Sequence, residues 1–414
     1  MLRIIPLSDA QELITRKAVR LAEAEGVVAP ILEEVRRRGD EALFEYARHF
    51  DGFTGKDVRV PASELDAAVD QISPEFRSAL ETAAGNIAEY ARLQMPKETS
   101  VTFADGRRLG QMVRPLESMG AYIPAGRYPL PSTVLMTVIP AQVAGVKTIC
   151  VASPHPSVEI LAAARLLNVP HVFRMGGAQA IAALAFGTVS VPKVDRIVGP
   201  GNIYVSAAKK LLAGEVGIDF VAGPTEIVII AADGDPRHLA ADLLAQAEHD
   251  VDASAILLTT SRALAQKVAA EVARQLETLP TASVACESIR KNSAVIIVET
   301  LEQAAGVSNR LAPEHLALYD ASLLPLIQHA GSIFLGPSSP EAAGDYASGP
   351  NHVLPTSGAA RIRGGLSTAD FVKIISIQEL TPAALRSIAS TVTTLARAEG
   401  LEAHARSVEV RLAE

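Results

Sequence analysis

A glutamate and a histidine stand side by side in the stretch NRLAPEHLALY, as Glu314 and His315. They directly follow Pro313, and proline is favoured in the first turn of a helix, so we predict that the pair lies at a helix N-terminus. The positive end of such a helix stabilises a carboxylate and disfavours an imidazolium. Both groups would then be unprotonated near neutral pH, as two general bases require. The alternative interpretation is a solvated helix start with an acid at its favoured end.

Three further histidines are candidates for binding or catalysis. Gln246 and His249 are three residues apart in LLAQAEH, so both side chains lie on one face of a predicted helix and could bind one metal ion. An alternative role for His249 is a favourable interaction with the C-terminus of that helix. Asp345 and His352 flank a glycine turn in AGDYASGPNH, a long polar loop of a kind that is more often functional than structural. His404, taken alone, is typical of a surface histidine.

Two glycine turns could contact a nucleotide. GGAQAIAAL (176–184) and GPGNIYV (199–205) each follow a predicted strand and open a predicted helix, so their backbone N–H groups could face a phosphate. Any parallel α/β sheet needs glycines at such turns, and no GxGxxG motif follows a strand. The turns alone are therefore weak indicators of a cofactor domain.

Strands and helices alternate over residues 147–212 and again over 227–335, which predicts two sets of units with parallel, doubly wound sheets. The N-terminal quarter is rich in helix, including a predicted helix over 8–25, and we interpret it as scaffold. The last fifty residues include a predicted helix over 382–399. That segment lacks a core of its own, so we expect it to dock on another surface.

The composition excludes several classes of protein. A chain of 414 residues is long enough for two domains, and a net charge of −8 argues against a general nucleic-acid surface. No run of 18 apolar residues is present, and the start becomes charged too soon for a signal peptide, so we expect a cytoplasmic protein without a membrane span. Cys150 and Cys286 match no redox or metal spacing.

Taken together, the motifs resemble the histidinol dehydrogenase family. The resemblance extends from about residue 114 to 408 in the family's order. Its stretches are GAYIPAGRYPLPSTVLM, GGAQAIAALAFGTVSVPKVDRIVGPGN, AGPTEIVIIA, LLAQAEH, NRLAPEHL, AGSIFLG, SPEAAGDYASGPNHVLPT, ADFVK and EGLEAH.

The resemblance implies an α/β fold with two Rossmann-like doubly wound sheet domains, one inserted in the other, plus small N- and C-terminal helical segments. We place an arm at 1–24 and a discontinuous first domain at 25–107 and 236–365, which carries the Glu–His pair. The second, NAD-binding domain covers 108–235. Residues 366–414 form a segment that docks on the partner in a homodimer.

The family oxidises L-histidinol to L-histidine through an aldehyde, with two NAD and one zinc ion per subunit. By resemblance, the catalytic bases are Glu314 and His315. The metal ligands correspond to Gln246, His249, Asp345 and, from the partner subunit, His404. The cofactor contacts correspond to Tyr122, Gln179 and Asn202. The substrate contacts correspond to Thr225, Gln246, His249, His315, Asp345, His352, Glu399 and His404.

One departure from the family pattern is visible at Thr225, where the family usually has serine. The hydroxyl is kept and a methyl group is added. We expect His315 to accept the alcohol proton and Glu314 to activate the water that adds to the aldehyde. The alternative is a related zinc- and NAD-dependent dehydrogenase of another chelating alcohol, and two more distant rivals are a zinc hydrolase and an inactive metal-binding scaffold.

Overall fold

The computed structural model describes residues 2–14, 21–125 and 128–413. The strands are β1 (Arg3–Pro6), β2 (Thr99–Thr102), β3 (Arg107–Pro115), β4 (Ser118–Tyr122), β5 (Thr148–Ser153), β6 (His171–Arg174), β7 (Arg196–Val198), β8 (Gly217–Ile218), β9 (Glu226–Ile230), β10 (Ser254–Thr259), β11 (Ala294–Ile297), β12 (His315–Leu318), β13 (Ser332–Leu335) and β14 (Val372–Leu380). The helices are α1 (Gln11–Ile14), α2 (Leu21–Arg38), α3 (Asp40–Asp51), α4 (Ala62–Gln71), α5 (Pro74–Leu93), α6 (Pro131–Ala144), α7 (Val158–Leu166), α8 (Gly177–Phe186), α9 (Ile203–Leu212), α10 (Pro236–Ala247), α11 (Arg262–Leu276), α12 (Ala282–Asn292), α13 (Leu301–Leu311), α14 (Glu341–Tyr346), α15 (Pro382–Ala398) and α16 (Glu402–Glu409).

A six-stranded sheet has the order β1-β11-β10-β9-β12-β13, with every neighbouring pair parallel. Its central strands are apolar runs such as SAILLT and HLAL, buried along their whole length. Parallel strands covered by helices on both faces have this composition. Strand order reverses between β9 and β12, which are parallel neighbours. The residues immediately before these two strands therefore lie next to each other.

A five-stranded sheet has the order β6-β5-β4-β7-β8 and is also parallel throughout. Its order reverses between β4 and β7, where a crevice forms outside the carboxyl ends of the strands. Tyr122 ends β4, and the turn over 199–202 follows β7, so both are at this crevice. The prediction of an α/β fold with doubly wound parallel sheets is confirmed.

The division of the chain between the two sheets differs from the expected boundaries. Residues 25–107 were expected to join the six-stranded sheet, but the apolar faces of α2, α4 and α5 pack into the cores of the five-stranded sheet. β9 was expected in the NAD-binding domain, and β1 in an arm, yet both are strands of the six-stranded sheet. Because β1 precedes and β9 follows every strand of the five-stranded sheet, that sheet is nested within the other in sequence.

The third sheet was not predicted. β14 pairs with β3, and β3 with β2, all antiparallel. Most residues of β14 are exposed, including Ile374, Ile375 and Ile377. α15 begins after Thr381, whose hydroxyl accepts a hydrogen bond from the Ala384 N–H, and it packs mainly against α16. This C-terminal segment therefore presents apolar surface outside the two sheet cores.

The predicted helix over 8–25 does not start at Ser8, which lies in a 3-10 turn. Within the described residues, a 3-10 turn and the short helix α1 precede α2, which starts at Leu21. Residues 15–20 of the predicted helix lie outside the described ones. In the part of the chain that the structure describes, no helix has the length and apolar character needed to cross a membrane.

Candidate active site

Glu314 and His315 do not open a helix, so that prediction was wrong. α13 ends at Leu311, and Ala312 takes the left-handed conformation (φ 50°) that terminates it. Pro313 follows this cap, a common place for proline after a helix C-terminus. His315 is the first residue of β12, so the pair lies at the amino end of a buried central strand.

The Glu314 carboxylate is held from β9 and the residue before it. Its Oε2 accepts a 2.5 Å hydrogen bond from the Thr225 hydroxyl and a 3.0 Å bond from the Glu226 N–H. Burial raises the pKa of Glu314, while the charge of His315 and these two bonds oppose the rise. The carboxylate is therefore fixed in orientation and has a higher proton affinity than a solvated glutamate.

The His315 ring is oriented by a contact between its Nδ1 atom and a backbone carbonyl. Nδ1 lies 3.3 Å from the Glu226 carbonyl, while Nε2 lies 3.7 Å from Asp345 Oδ1, which is too long for a hydrogen bond. Burial lowers the pKa of His315, but surrounding carboxylates outweigh it and raise that pKa to about 10. These carboxylates are Glu314, Asp345 and Glu341. Nε2 is thus a buried nitrogen aimed at a cluster of negative charge.

Gln246 connects directly to this pair. Its Nε2 donates to the Thr225 hydroxyl at 2.8 Å, and its buried Oε1 has no hydrogen-bond partner within the described residues. Thr225 therefore joins Gln246 to Glu314. An orphaned amide oxygen in a carboxylate-rich site is suited to a cation.

His249 and Asp345 have free donor atoms of the types that zinc binds. His249 Nδ1 lies 2.9 Å from the Ala245 carbonyl, which leaves Nε2 for a ligand, as in many metal-bound histidines. Burial raises the pKa of Asp345, but the interaction with His315 outweighs burial and brings that pKa below the usual value. Asp345 is therefore a carboxylate, the form a metal requires.

His352 links the site to the five-stranded sheet. Its Nδ1 lies 2.8 Å from the Asp345 carbonyl and its Nε2 lies 3.3 Å from the Thr133 hydroxyl on α6. Burial lowers the pKa of His352, so this imidazole is neutral near pH 7. A neutral imidazole here can accept or donate a hydrogen bond to a polar substrate.

Of the predicted metal- and substrate-binding residues, His404 and Glu399 are the two that the structure does not bring to this group. Both are exposed, His404 on α16 and Glu399 at the end of α15. Across the described ranges, no three His, Cys, Asp or Glu side chains are arranged to hold a metal ion. His404 therefore does not complete a set with His249 and Asp345 inside one chain.

The three predicted cofactor contacts come together. Tyr122, Gln179 and Asn202 line one cavity of about 640 Å³ at the crevice of the five-stranded sheet. Asp51, which sequence reasoning missed, lines the same cavity and accepts hydrogen bonds from the Gln179 amide at 3.1 Å and the Gly176 N–H at 3.0 Å. A larger groove of about 750 Å³ near α4 contains none of the candidate site residues.

Protein groups use several N–H donors of the two glycine turns, which the sequence offered as weak candidates for contacting a phosphate. The Gly176 N–H donates to Asp51, and the Gly177 N–H donates to the Tyr122 hydroxyl at 3.1 Å. Asn202 caps α9 by accepting hydrogen bonds from the N–H groups of its first turn. These particular N–H groups are therefore not available to a phosphate.

Glu341 is a second residue that sequence reasoning missed. Its two carboxylate oxygens are buried without a hydrogen-bond partner among the described residues, and burial raises its pKa well above the ordinary value. The only available signal was its position in the loop-rich SPEAAGDY stretch, four residues before Asp345. That spacing alone does not identify a buried acid.

Known proteins of the same architecture identify the family. The family model for histidinol dehydrogenase matches residues 14–412. The chain belongs to the histidinol dehydrogenase family. The histidinol dehydrogenase of Halalkalibacterium halodurans is 46% identical over 420 residues, covering 99% of each chain, and that of Geobacter sulfurreducens is 49% identical over 401 residues, covering 94% of each. The crystal structure of histidinol dehydrogenase from Elizabethkingia anophelis superposes with a TM-score of 0.95 at 39% identity, covering 99% of this chain and 98% of that one.

Membership of the histidinol dehydrogenase family makes the chain an oxidoreductase of histidine biosynthesis. The recognition based on the sequence motifs is thereby confirmed. The family match covers every described strand of the two parallel sheets except β1, together with the C-terminal helices.

Proposed function

We propose that this chain catalyses the NAD-dependent four-electron oxidation of L-histidinol to L-histidine through L-histidinaldehyde, the last steps of histidine biosynthesis. The observation that carries the proposal is the chain of contacts from Glu314 through Thr225 to Gln246. It connects a proposed base to a proposed metal ligand within one buried cluster. Family membership supports the same reaction.

The metal site is proposed to hold one zinc ion per subunit through Gln246, His249, Asp345 and the partner's His404. The orphaned Gln246 Oε1, the free His249 Nε2 and the ionised Asp345 fit such an ion. Zinc bound there would fix the imidazole and amine of the substrate and offset the negative charge that raises the pKa of His315. Two histidines, an amide and one carboxylate would be an unusual set for a zinc hydrolase.

The first oxidation is assigned to His315. Its Nε2 accepts the hydroxyl proton of histidinol as the carbon loses a hydride, which leaves the aldehyde. The contact between Nδ1 and the Glu226 carbonyl holds the ring so that Nε2 faces Asp345 and the substrate. NAD supplies the hydride acceptor, once in each of the two oxidations.

The second oxidation is assigned to Glu314. Its carboxylate takes a proton from a water molecule as the water oxygen bonds to the aldehyde carbon. The resulting hydrate then loses its hydride and a proton to give the carboxylate of histidine. A raised pKa makes Glu314 a stronger base than a solvated glutamate, which suits the activation of water.

The substrate is proposed to contact the catalytic base His315 and the metal ligands. His352, a neutral and buried imidazole, would bind its polar groups, and Glu399 from the C-terminal segment would pair with a cationic one. The remaining proposed contacts are Thr225, Gln246, His249, His315, Asp345 and His404. The alternative substrate is another chelating alcohol, for a related zinc- and NAD-dependent dehydrogenase.

The coenzyme is proposed to bind in the cavity lined by Tyr122, Gln179 and Asn202. The cavity volume of about 640 Å³ suits a cofactor, and its position at the crevice between β4 and β7 is where open α/β sheets bind nucleotides. Because protein groups already use several N–H donors of the glycine turns, we expect modest affinity for the pyrophosphate.

The active assembly is proposed to be a cytoplasmic homodimer that binds neither nucleic acid nor membranes. Ile374, Ile375 and Ile377 leave apolar surface on β14 that a second copy would cover. Exposure of His404 and Glu399 is consistent with their use by the partner's site. The net charge of −8 disfavours nucleic acid as a partner.

The decisive experiment is a stoichiometric assay with purified protein, zinc, L-histidinol and NAD. Two NADH for each histidinol, with histidine as product, would support the proposal. One NADH would indicate an alcohol dehydrogenase of another substrate, and none would place the activity outside this class.

A further inference from the structure

Lys209 on α9 and Asp219 form a buried ion pair that the proposed reaction does not use. Their side chains are 2% and 0% exposed, and the ammonium contacts Asp219 Oδ1 directly. The next residue, Lys210, forms an ion pair with Glu25 at the surface. The chain therefore carries a buried and a solvated lysine ion pair on adjacent residues of one helix.

The buried pair holds the backbone of Gly199. The Gly199 N–H donates to Asp219 Oδ2 at 2.8 Å, and the Gly199 carbonyl accepts from Lys209 Nζ at 3.0 Å. Asp219 Oδ1 also accepts the Phe220 N–H at 2.7 Å. The backbone groups of Gly199 are thus fixed on both sides by charged side chains, and such bonds are stronger than neutral ones.

Gly199 in turn determines how two cavity-lining residues face each other. It adopts φ +107°, and a Cβ at this position would lie 2.2 Å from the Tyr122 carbonyl oxygen. Gly199 therefore packs directly on the backbone of Tyr122 at the end of β4. The same turn ends at Asn202, so a shift of Gly199 would move Tyr122 and Asn202 relative to each other.

Stability is a weak explanation for this arrangement. A buried ion pair often contributes no more to stability than apolar side chains of similar size, because both charges lose their hydration. We propose that Lys209 and Asp219 are positioning residues for the coenzyme, which fix the Gly199 turn so that Tyr122 and Asn202 form one NAD-binding surface. This inference rests on the proposed function, in which these two residues contact NAD.

The test is steady-state kinetics of the full-length enzyme carrying Lys209→Met together with Asp219→Asn, which removes both charges and avoids leaving one unpaired. We expect KM for NAD to rise about tenfold, with kcat at saturating NAD and KM for histidinol changed less than about twofold. The control is Lys210→Met, which removes the adjacent surface lysine and should leave all three constants unchanged. A double variant combining Lys209→Gln with Asp219→Asn keeps amide hydrogen-bonding groups at both positions and should recover part of the NAD affinity.

An unchanged KM for NAD in a folded Lys209→Met, Asp219→Asn protein would overturn the inference. If that protein does not fold, Gly199→Ala moves the same turn through its contact with Tyr122 and leaves the charges in place. Gly199→Ala should raise KM for NAD in the same selective way, and no rise would also overturn the inference. If the unsubstituted enzyme forms no NADH from histidinol, the proposed function fails, and calorimetric titration with NAD still tests the positioning role.

Discussion

The Thr225 hydroxyl donates a 2.5 Å hydrogen bond to the Glu314 carboxylate, although 89 residues separate the two in sequence. Thr225 precedes β9 and Glu314 precedes β12, and these strands are neighbours in the six-stranded sheet. The same hydroxyl accepts a hydrogen bond from the Gln246 amide. One side chain thus orients a proposed base and a proposed metal ligand.

Replacing Thr225 by valine should impair both partners. Thr225→Val keeps the shape but removes the hydroxyl, which leaves the Gln246 amide without its acceptor at a cost of about 1–3 kcal/mol. We expect a fall in kcat of about 10- to 100-fold and a lower zinc content, because Glu314 and Gln246 lose their orientation. Thr225→Ser keeps the hydroxyl and should retain both properties. This role would be contradicted if the valine and serine variants had equal kcat in stopped-flow assays and equal zinc content in metal analysis.

Glu314 and His315 should separate the two oxidations. Glu314→Gln should slow aldehyde oxidation by about 10²- to 10⁴-fold and leave one NADH per histidinol, because water is no longer activated. His315→Asn should slow alcohol oxidation while supplied histidinaldehyde is still oxidised. The surface substitution Glu277→Gln serves as the control. The assignment fails if Glu314→Gln oxidises supplied aldehyde normally but not the alcohol.

The partner's contribution to the metal site can be tested by subunit mixing. His404→Ala and His249→Ala should each abolish zinc binding and activity, because each removes a proposed ligand. If His404 acts across the dimer, a heterodimer of the two variants contains one intact site. Random 1:1 reassociation should then restore about one quarter of the unsubstituted zinc content and activity, half the dimers having one of two sites intact. No recovery in demonstrated heterodimers would place both ligands in the same subunit.

The sequence predicted the parallel sheets well because their strands are buried on both faces. Runs such as SAILLT and KTICVAS have the apolar composition of covered parallel strands, and the glycine turns mark their ends. α12 was missed because its sequence, ASVACESIRKN, is largely polar and presents only a narrow apolar face. β14 was missed because most of its residues are exposed in a single chain.

The environment of the Glu–His pair depended on tertiary structure that a local pattern does not contain. Pro313 follows a helix C-cap in this chain, whereas the sequence pattern alone favoured a helix start. The expected low proton affinity of His315 depended on a helix dipole, but the surrounding carboxylates raise its pKa instead. Two of those carboxylates, Glu341 and Asp345, come from α14, which local spacing did not connect to β12.

Asp242 gives a pH-dependent prediction for stability. Burial raises the pKa of Asp242 to about 6 in the folded protein, against an ordinary value of about 3.9 in the unfolded chain. Below about pH 4 the carboxyl is protonated in both states, so it adds no penalty to folding. Between about pH 4 and 6 the unfolded chain releases this proton first, so the free energy of unfolding falls as the pH rises, and the full penalty remains above pH 6.

Asp242→Asn should remove that penalty. At pH 8 the variant should be more stable than the unsubstituted protein by at most about 3 kcal/mol, and near pH 4 the two should be equal. The measurement is thermal unfolding at both pH values, with a chelator present so that metal binding does not contribute. Asp70→Asn, at an exposed position on α4, is the matched control and should leave the melting temperature unchanged. A variant with the same melting temperature as the unsubstituted protein at pH 8 would show that burial of Asp242 does not destabilise the fold.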